Sequence, residues 1–120
     1  MTEITLKSWG REELIYNHLY CCKLLVYDRE GIASSLHFHR LKTETFIVTS
    51  GEFLIEWALV NMLGEIQADS KQTEYFEPGR SINLAPYTAH RIRCIKKGVI
   101  VEASTRDDET DCVRIEPSES

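Results

Sequence analysis

Short apolar runs rich in Val, Ile, Phe and Tyr, each cut by turn residues, constrain this chain more than any other feature. Runs of this length are strand-sized, and β-branched and aromatic side chains suit a pleated, half-buried surface. The pattern predicts strands at 20–28, 33–39, 44–50, 52–60, 66–76, 81–85, 90–95 and 99–104. The breaks fall at Arg29-Glu30-Gly31, Ser50-Gly51, Asn61–Gly64, Glu77-Pro78-Gly79 and Lys96-Lys97-Gly98. Strands at this spacing with glycine turns indicate an all-β sandwich or barrel. Only 11–19 reads as helical. The polar ending, 113–120, reads as a fraying tail, which leaves a core of about 20–105 in a single domain spanning 1–120.

Composition narrows the function. An apolar content of 42% over 120 residues supports one real core. A net charge of −5 with scattered Lys and Arg argues against nucleic acid or an anionic membrane as partner, since both attract basic patches. No apolar run approaches the roughly 20 residues that span a bilayer. The start, "MTEITLKSWG", lacks the charged and then apolar pattern of a secretory leader. The reading is therefore cytoplasmic, where Cys21, Cys22, Cys94 and Cys112 stay free thiols that fill small spaces. Adjacent Cys21 and Cys22 face opposite sides of a strand and make poor joint ligands.

Alternation sorts the side chains by face. In 52–60, Phe53, Ile55, Trp57 and Leu59 share one face; in 44–50, Glu44 shares its face with Phe46 and Val48. A carboxylate in line with buried apolar neighbours is costly unless it is paired or bound to a metal. A pair of histidines precedes it. His37 and His39, one residue apart, lie on the same face of a strand about 7 Å apart along the chain. Imidazoles at that spacing can converge on one ion at about 2.0–2.2 Å. Glu44 has the wrong parity for the same continuous strand. A corner at Arg40-Leu41-Lys42-Thr43 would let the next strand return and present Glu44 to the same point. His90, opening a late strand after "APYTA", is the better candidate for a fourth ligand; His18, in a polar segment, is the weaker.

At this point the chain resembles the cupin family. Gly31, His37-x-His39, Glu44 and Gly51 match the first cupin motif in position and spacing. Gly79 and His90 match the second, while Ala85, Tyr87 and Cys94 stand where that motif usually has Pro, Gly and Asn. The resemblance implies a small jelly-roll β-barrel (the double-stranded β-helix), one divalent metal ion, and His37, His39, Glu44 and His90 as its ligands. It also implies a homodimer. "LHFHRLKTE" and "VEASTRDDETD" resemble stretches of cupin-type D-lyxose isomerases. "WG", "GIASSLHFHR", "FIVTSGE" and "DDETDCVRIE" are similar to the cupin domain of type II phosphomannose isomerases. Both imply aldose–ketose isomerisation of a small molecule, a sugar or sugar phosphate, by a chain shorter than the lyxose isomerases. Cupins also include oxygenases and proteins without a reaction, so a non-catalytic small-ligand-binding cupin and a metal-dependent dioxygenase stay open as alternatives.

Isomerisation needs a Lewis acid and a group that moves a proton between neighbouring carbons. Mixed imidazole and carboxylate ligation suits Mn, Zn, Fe, Co or Ni. Lys42 is read as the acid/base, its pKa lowered by burial and the nearby ion, or else as a solvated corner lysine. Glu102, on a face with Ile100, is read as its partner base or as a structural carboxylate. Asp107 and Asp108, with Asp111, are read as binding sugar hydroxyls or as a solvated acidic turn. Lys23, an odd charge in an apolar strand, is read as an anion holder in the barrel mouth or as a lysine that snorkels to the rim.

Overall fold

A computed structural model describes residues 2–120. Nine strands run in chain order: β1 (Glu3–Lys7), β2 (Gly10–Asn17), β3 (Cys21–Tyr27), β4 (Leu36–His39), β5 (Glu44–Leu59), β6 (Gln72–Phe76), β7 (Ser81–Leu84), β8 (Thr88–Ser104) and β9 (Cys112–Glu116). All pair antiparallel. One path of pairing runs β1-β2-β3-β8-β4-β9, and β5 joins β6, β7 and β8 off it. Two long strands, β5 and β8, lie side by side and organise the rest. The first half of β5 takes β7 as its other neighbour, and the second half takes β6. The result is a curled sheet closed around one interior. Among the described residues no helix is long and apolar enough to cross a membrane.

The predicted breaks at 50–51 and 96–98 do not end strands. Both glycine positions lie inside the continuous strands β5 and β8, where the register shifts around Ser50 and Glu52. A Cβ on Gly98 would stand 2.1 Å from the Ser50 carbonyl oxygen, and one on Gly51 would stand 2.6 Å from that of Lys96. These glycines let two backbones approach and bend together as a bulge. They mark a corner of the sheet and not a reversal of the chain.

Two expectations at the chain's ends are corrected. Residues 11–19 are not helical: 10–17 form β2, and Arg11 Nε meets Glu13 Oε2 at 2.7 Å, a contact between residues two apart that shares a strand face. Pairing with β3 outweighs the local helical pattern. The polar tail is not frayed, because β9 pairs with β4, and Arg93 holds the Glu119 carboxylate at 2.7 and 2.8 Å. The core also extends outside 20–105, since buried Trp9 stacks on Tyr27 with ring centroids 4.2 Å apart.

The interior is filled by alternate residues of the long strands, with Phe46, Val48, Phe53, Ile55, Ile92 and Ile100 all buried together. The apolar face expected for 52–60 holds through Ile55, with Trp57 packed against the same core. Leu59, however, is exposed, while Ala58 and Val60 are buried. Val60 joins Phe38 and Ala89 in a second, smaller cluster. Phe38 lies between the two histidines of β4, so its burial in that cluster turns His37 and His39 toward the other face.

Candidate metal centre

Strand β4 presents His37 and His39 side by side, and His37 stands opposite His90 of β8. The approach to His90 is set by Tyr87, which adopts a left-handed backbone with φ 59°. That conformation costs a non-glycine residue about 1–2 kcal/mol. It is held by a 2.8 Å hydrogen bond from Tyr87 N–H to the His39 carbonyl and a 2.9 Å bond from Val60 N–H to the Tyr87 carbonyl. The corner at 40–43 exists as expected. It wraps the Asp111 carboxylate, which accepts the backbone N–H groups of Arg40 and Leu41 at 3.0 Å and of Lys42 at 3.1 Å. Asp111 thus positions the corner, a role outside both sequence readings of it, as a sugar contact or as part of a solvated acidic turn. From the corner β5 returns and brings Glu44, 3% exposed, to the histidines.

Donor atoms of His39, Glu44 and His90 lie within 4.8 Å of one another. Glu44 Oε2 is 3.1 Å from His90 Nε2, and Oε1 is 3.5 Å from His39 Nε2. His37 packs against both other imidazoles, with ring centroids 4.5 Å from His90 and 5.2 Å from His39. Its closest donor grouping is with His39 and Cys112, again within 4.8 Å. All four expected ligands therefore surround one space, and together with Cys112 they form two triads that share His39.

The donors fit a divalent ion. Nδ1 of His90 lies 3.1 Å from the Thr88 carbonyl, which can only accept, so that nitrogen carries the hydrogen and Nε2 is left to donate a lone pair. Ser35 offers its carbonyl to Nδ1 of His37 at 3.2 Å in the same way. His90 Nε2 and His39 Nδ1 are both buried without a hydrogen-bond partner; for the former, a bare lone pair beside a carboxylate oxygen sets two acceptors together. Such orphaned buried nitrogens are costly unless something else satisfies them. Burial, with the neighbouring His90 adding, pushes His37 down to about 3, so its imidazole is neutral at ordinary pH. Burial opposes ionisation of Glu44, but His90 and Lys42 outweigh it and hold the carboxyl well below the usual range.

Lys42, Glu102 and Asp107 adjoin this centre. Lys42 is 3% exposed, and its Nζ lies 2.7 Å from Glu102 Oε2, 2.7 Å from Asp107 Oδ1 and 3.1 Å from Glu44 Oε1. The expected lowering of its pKa is not found. Burial acts in that direction, but the charges of Glu102 and Glu44 and the bonds to Asp107 and Glu102 hold it above the ordinary lysine range. Glu102, buried and with Ser104 Oγ donating to it at 3.1 Å, is pushed up by burial and by Glu44 against the pull of Lys42 and Lys23.

Lys23 is not free to hold an anion, because its Nζ meets Asp107 Oδ2 at 3.1 Å and Glu12 Oε2 at 3.8 Å. Asp107 is brought in by Asn17, whose side chain bonds both its N–H, at 2.8 Å, and its carbonyl, at 3.0 Å. Asp108 is not brought in. Its exposed Oδ1 caps a short 3-10 turn, accepting Thr110 N–H at 3.0 Å and Thr110 Oγ1 at 2.8 Å. Around this centre the four carboxyl groups of Glu12, Glu44, Glu102 and Asp107 outnumber the two ammonium groups of Lys23 and Lys42 that they contact. A divalent cation would balance that deficit. The whole cluster lines a cavity of about 610 Å³, within the size range of small-molecule sites.

Comparison with known proteins agrees with this architecture. The D-lyxose isomerase family is matched over residues 2–120, and the chain belongs to that family. No curated protein matches it. Among solved structures, it resembles the capsular polysaccharide assembling protein CapF from Staphylococcus aureus (TM-score 0.79, 15% identity), covering 97% of this chain and 32% of that one. The chain thus spans about a third of CapF. It also resembles an RmlC-like cupin from Shewanella frigidimarina (TM-score 0.71, 20% identity, 92% of this chain and 88% of that one). KdgF from a Halomonas species is a third likeness (TM-score 0.70, 11% identity, 92% and 91%). These likenesses show that the fold is a cupin.

Proposed function

We propose that this chain is a metal-dependent aldose–ketose isomerase acting on an uncharged sugar. The observation that carries the reading is the Lys42–Glu102 pair, 2.7 Å apart and buried against Glu44 in the wall of the 610 Å³ cavity. An ammonium and a carboxyl group held together are what a proton shift between adjacent carbons requires.

His37, His39, Glu44 and His90 would hold the divalent ion, which as a Lewis acid polarises the substrate carbonyl. Glu102 takes the proton from the carbon next to the carbonyl and returns it to the former carbonyl carbon, while the proton of the neighbouring hydroxyl passes to the former carbonyl oxygen. Its raised pKa suits a group that must both accept and release a proton. Lys42, kept cationic by its three carboxylates, donates a hydrogen bond to the oxygen on which negative charge develops in the enediolate. Asp107 fixes Lys42 from the opposite side and is itself fixed by Asn17. An uncharged sugar is favoured over a sugar phosphate because both buried lysines are already committed to carboxylates.

The test is metal analysis of the purified protein, then NMR of an aldose and ketose panel in D₂O. Deuterium should enter C1 or C2 of a free pentose or hexose, and Glu102→Gln should abolish this while metal binding persists. Absence of exchange with every metal tried would reject the reading.

A further inference from the structure

We propose that Cys112 is a metal ligand, forming with His37 and His39 a donor triad that gives this centre a preference for a thiophilic d-block ion such as Zn²⁺ or Co²⁺. The proposal rests on the reading of the site as a metal centre. Cys112 opens β9 and stands opposite His39 in the pairing of β9 with β4. Its sulfur and one nitrogen each of His37 and His39 lie within 4.8 Å of one another. Ligands around a tetrahedral ion, with bonds of about 2.0–2.3 Å, are separated by roughly 3.5 Å, so modest rotations of these side chains would close the set.

A second observation points the same way. His39 is 7% exposed, and its Nδ1 is buried without a hydrogen-bond partner. Its Nε2 is the nitrogen directed at Glu44, while Nδ1 lies 3.7 Å from Asp111, the residue just before Cys112. His39 belongs to two donor groups, one with Glu44 and His90 and the other with His37 and Cys112. Imidazole with carboxylate discriminates poorly among Mn²⁺, Fe²⁺ and Zn²⁺, whereas a thiolate favours the softer ions. Cys112 is also placed differently from Cys21 and Cys94, which are fully buried. It is half-buried and lines the cavity, where an entering ion can reach it.

Without an ion the thiol stays protonated, since burial raises its pKa and the opposing charge of Arg114 does not cancel that. On ligation the S–H bond breaks, its proton passes to solvent, and the electron pair left on sulfur forms the bond to the metal. No redox change is involved.

The experiment is titration of Co²⁺ into the metal-stripped full-length protein. Sulfur-to-cobalt charge-transfer absorption should appear in the near ultraviolet beside the visible d–d bands. Cys112→Ser should lose the charge-transfer band and keep d–d bands through His39, Glu44 and His90. Visible bands without charge transfer in the unmutated protein would overturn the proposal while leaving the metal centre intact. No cobalt spectrum at all would overturn both. A charge-transfer band that survives in Cys112→Ser would also overturn it. A second measurement avoids the variant: Zn²⁺ should slow iodoacetamide alkylation of Cys112, read by mass spectrometry, and leave Cys22 unaffected. Equal alkylation of Cys112 with and without Zn²⁺ would again reject it.

Discussion

Replacing Lys42 by methionine should destabilise the metal-free protein by an amount that depends steeply on pH. Among the described residues Lys42 is the one cation in contact with Glu44, Glu102 and Asp107 at once. Methionine keeps most of the volume and removes the charge, which leaves buried carboxylates facing each other. Removing one partner of a buried ion pair costs about 3–5 kcal/mol. The variant can relieve this by taking up a proton, and Glu102 is the acceptor because burial and Glu44 already push its carboxyl up. Its folded pKa then rises further above the unfolded value. A carboxyl raised in the folded state is no penalty below its unfolded pKa and an increasing one as pH climbs toward the folded pKa. Proton uptake costs about 1.36 kcal/mol for each pH unit above the free glutamate value near 4.3, hence about 1 kcal/mol at pH 5 and about 4 kcal/mol at pH 7. A chain of 120 residues unfolds with an entropy of about 0.25 kcal/mol/K. The unsubstituted protein already bears part of this cost through its own raised Glu102, so the Tm gap between the two proteins should be at most about 4 °C at pH 5 and widen toward, at most, about 15 °C at pH 7. Calorimetry in chelator at both pH values reads this directly. An equal gap at the two pH values, or none, would refute the account of Lys42 as the neutralising cation of a buried carboxylate cluster.

Other perturbations follow from single contacts. Asp111→Ala strips three backbone N–H groups at 40–42 of their acceptor and should cost about 1.5–3 kcal/mol in urea unfolding. The same change should weaken metal binding about 10–100-fold by chelator competition, as loss of groups that position ligands does. Gly98→Ala, whose Cβ would stand 2.1 Å from the Ser50 carbonyl, and Gly51→Ala, whose Cβ would stand 2.6 Å from the Lys96 carbonyl on a backbone with φ 81°, should each lower the urea midpoint; an unchanged midpoint for either would count against the interlocked corner. Arg93 holds the Glu119 carboxyl down at about 2, so docking of the chain end should be complete above the ordinary glutamate value and lost as pH falls toward 2. Hydrogen exchange of the Glu119 amide, bonded to the Ala33 carbonyl at 2.9 Å, should speed up over that window; a rate profile with no excess acceleration relative to other surface amides would contradict it.

Features that depend on local periodicity could be read in advance. Strand parity placed His37 and His39 on one face, and the wrong parity of Glu44 demanded the corner that Asp111 now holds. Features that depend on two distant segments could not. A glycine pair reads as punctuation along the chain, but Gly51 and Gly98 bend two strands at the place where each needs the other to lack a side chain. The same limit hid β9, whose polar residues gain their order from an edge of β4 that they cover.

The acid–base group shows the limit most sharply. Seen along the chain, Lys42 is a corner lysine beside a candidate ligand, and burial near a metal argues for a lowered pKa. In three dimensions its nearest charges are carboxylates 60 and 65 residues away along the chain, brought alongside by the pairing of β8 with β5, and they reverse the direction of the shift. Asp107 and Asp108 are equivalent as letters. Asn17, at the end of a strand first read as helix, grips the backbone of Asp107 and turns its carboxylate inward, while Asp108 spends its own on Thr110. Whether a polar residue serves the site is therefore decided by what anchors its backbone. That is why the candidate ligands carried on regular strands were legible, whereas Asp107, which fixes Lys42 beside them, depends on a loop whose anchor lies 90 residues away.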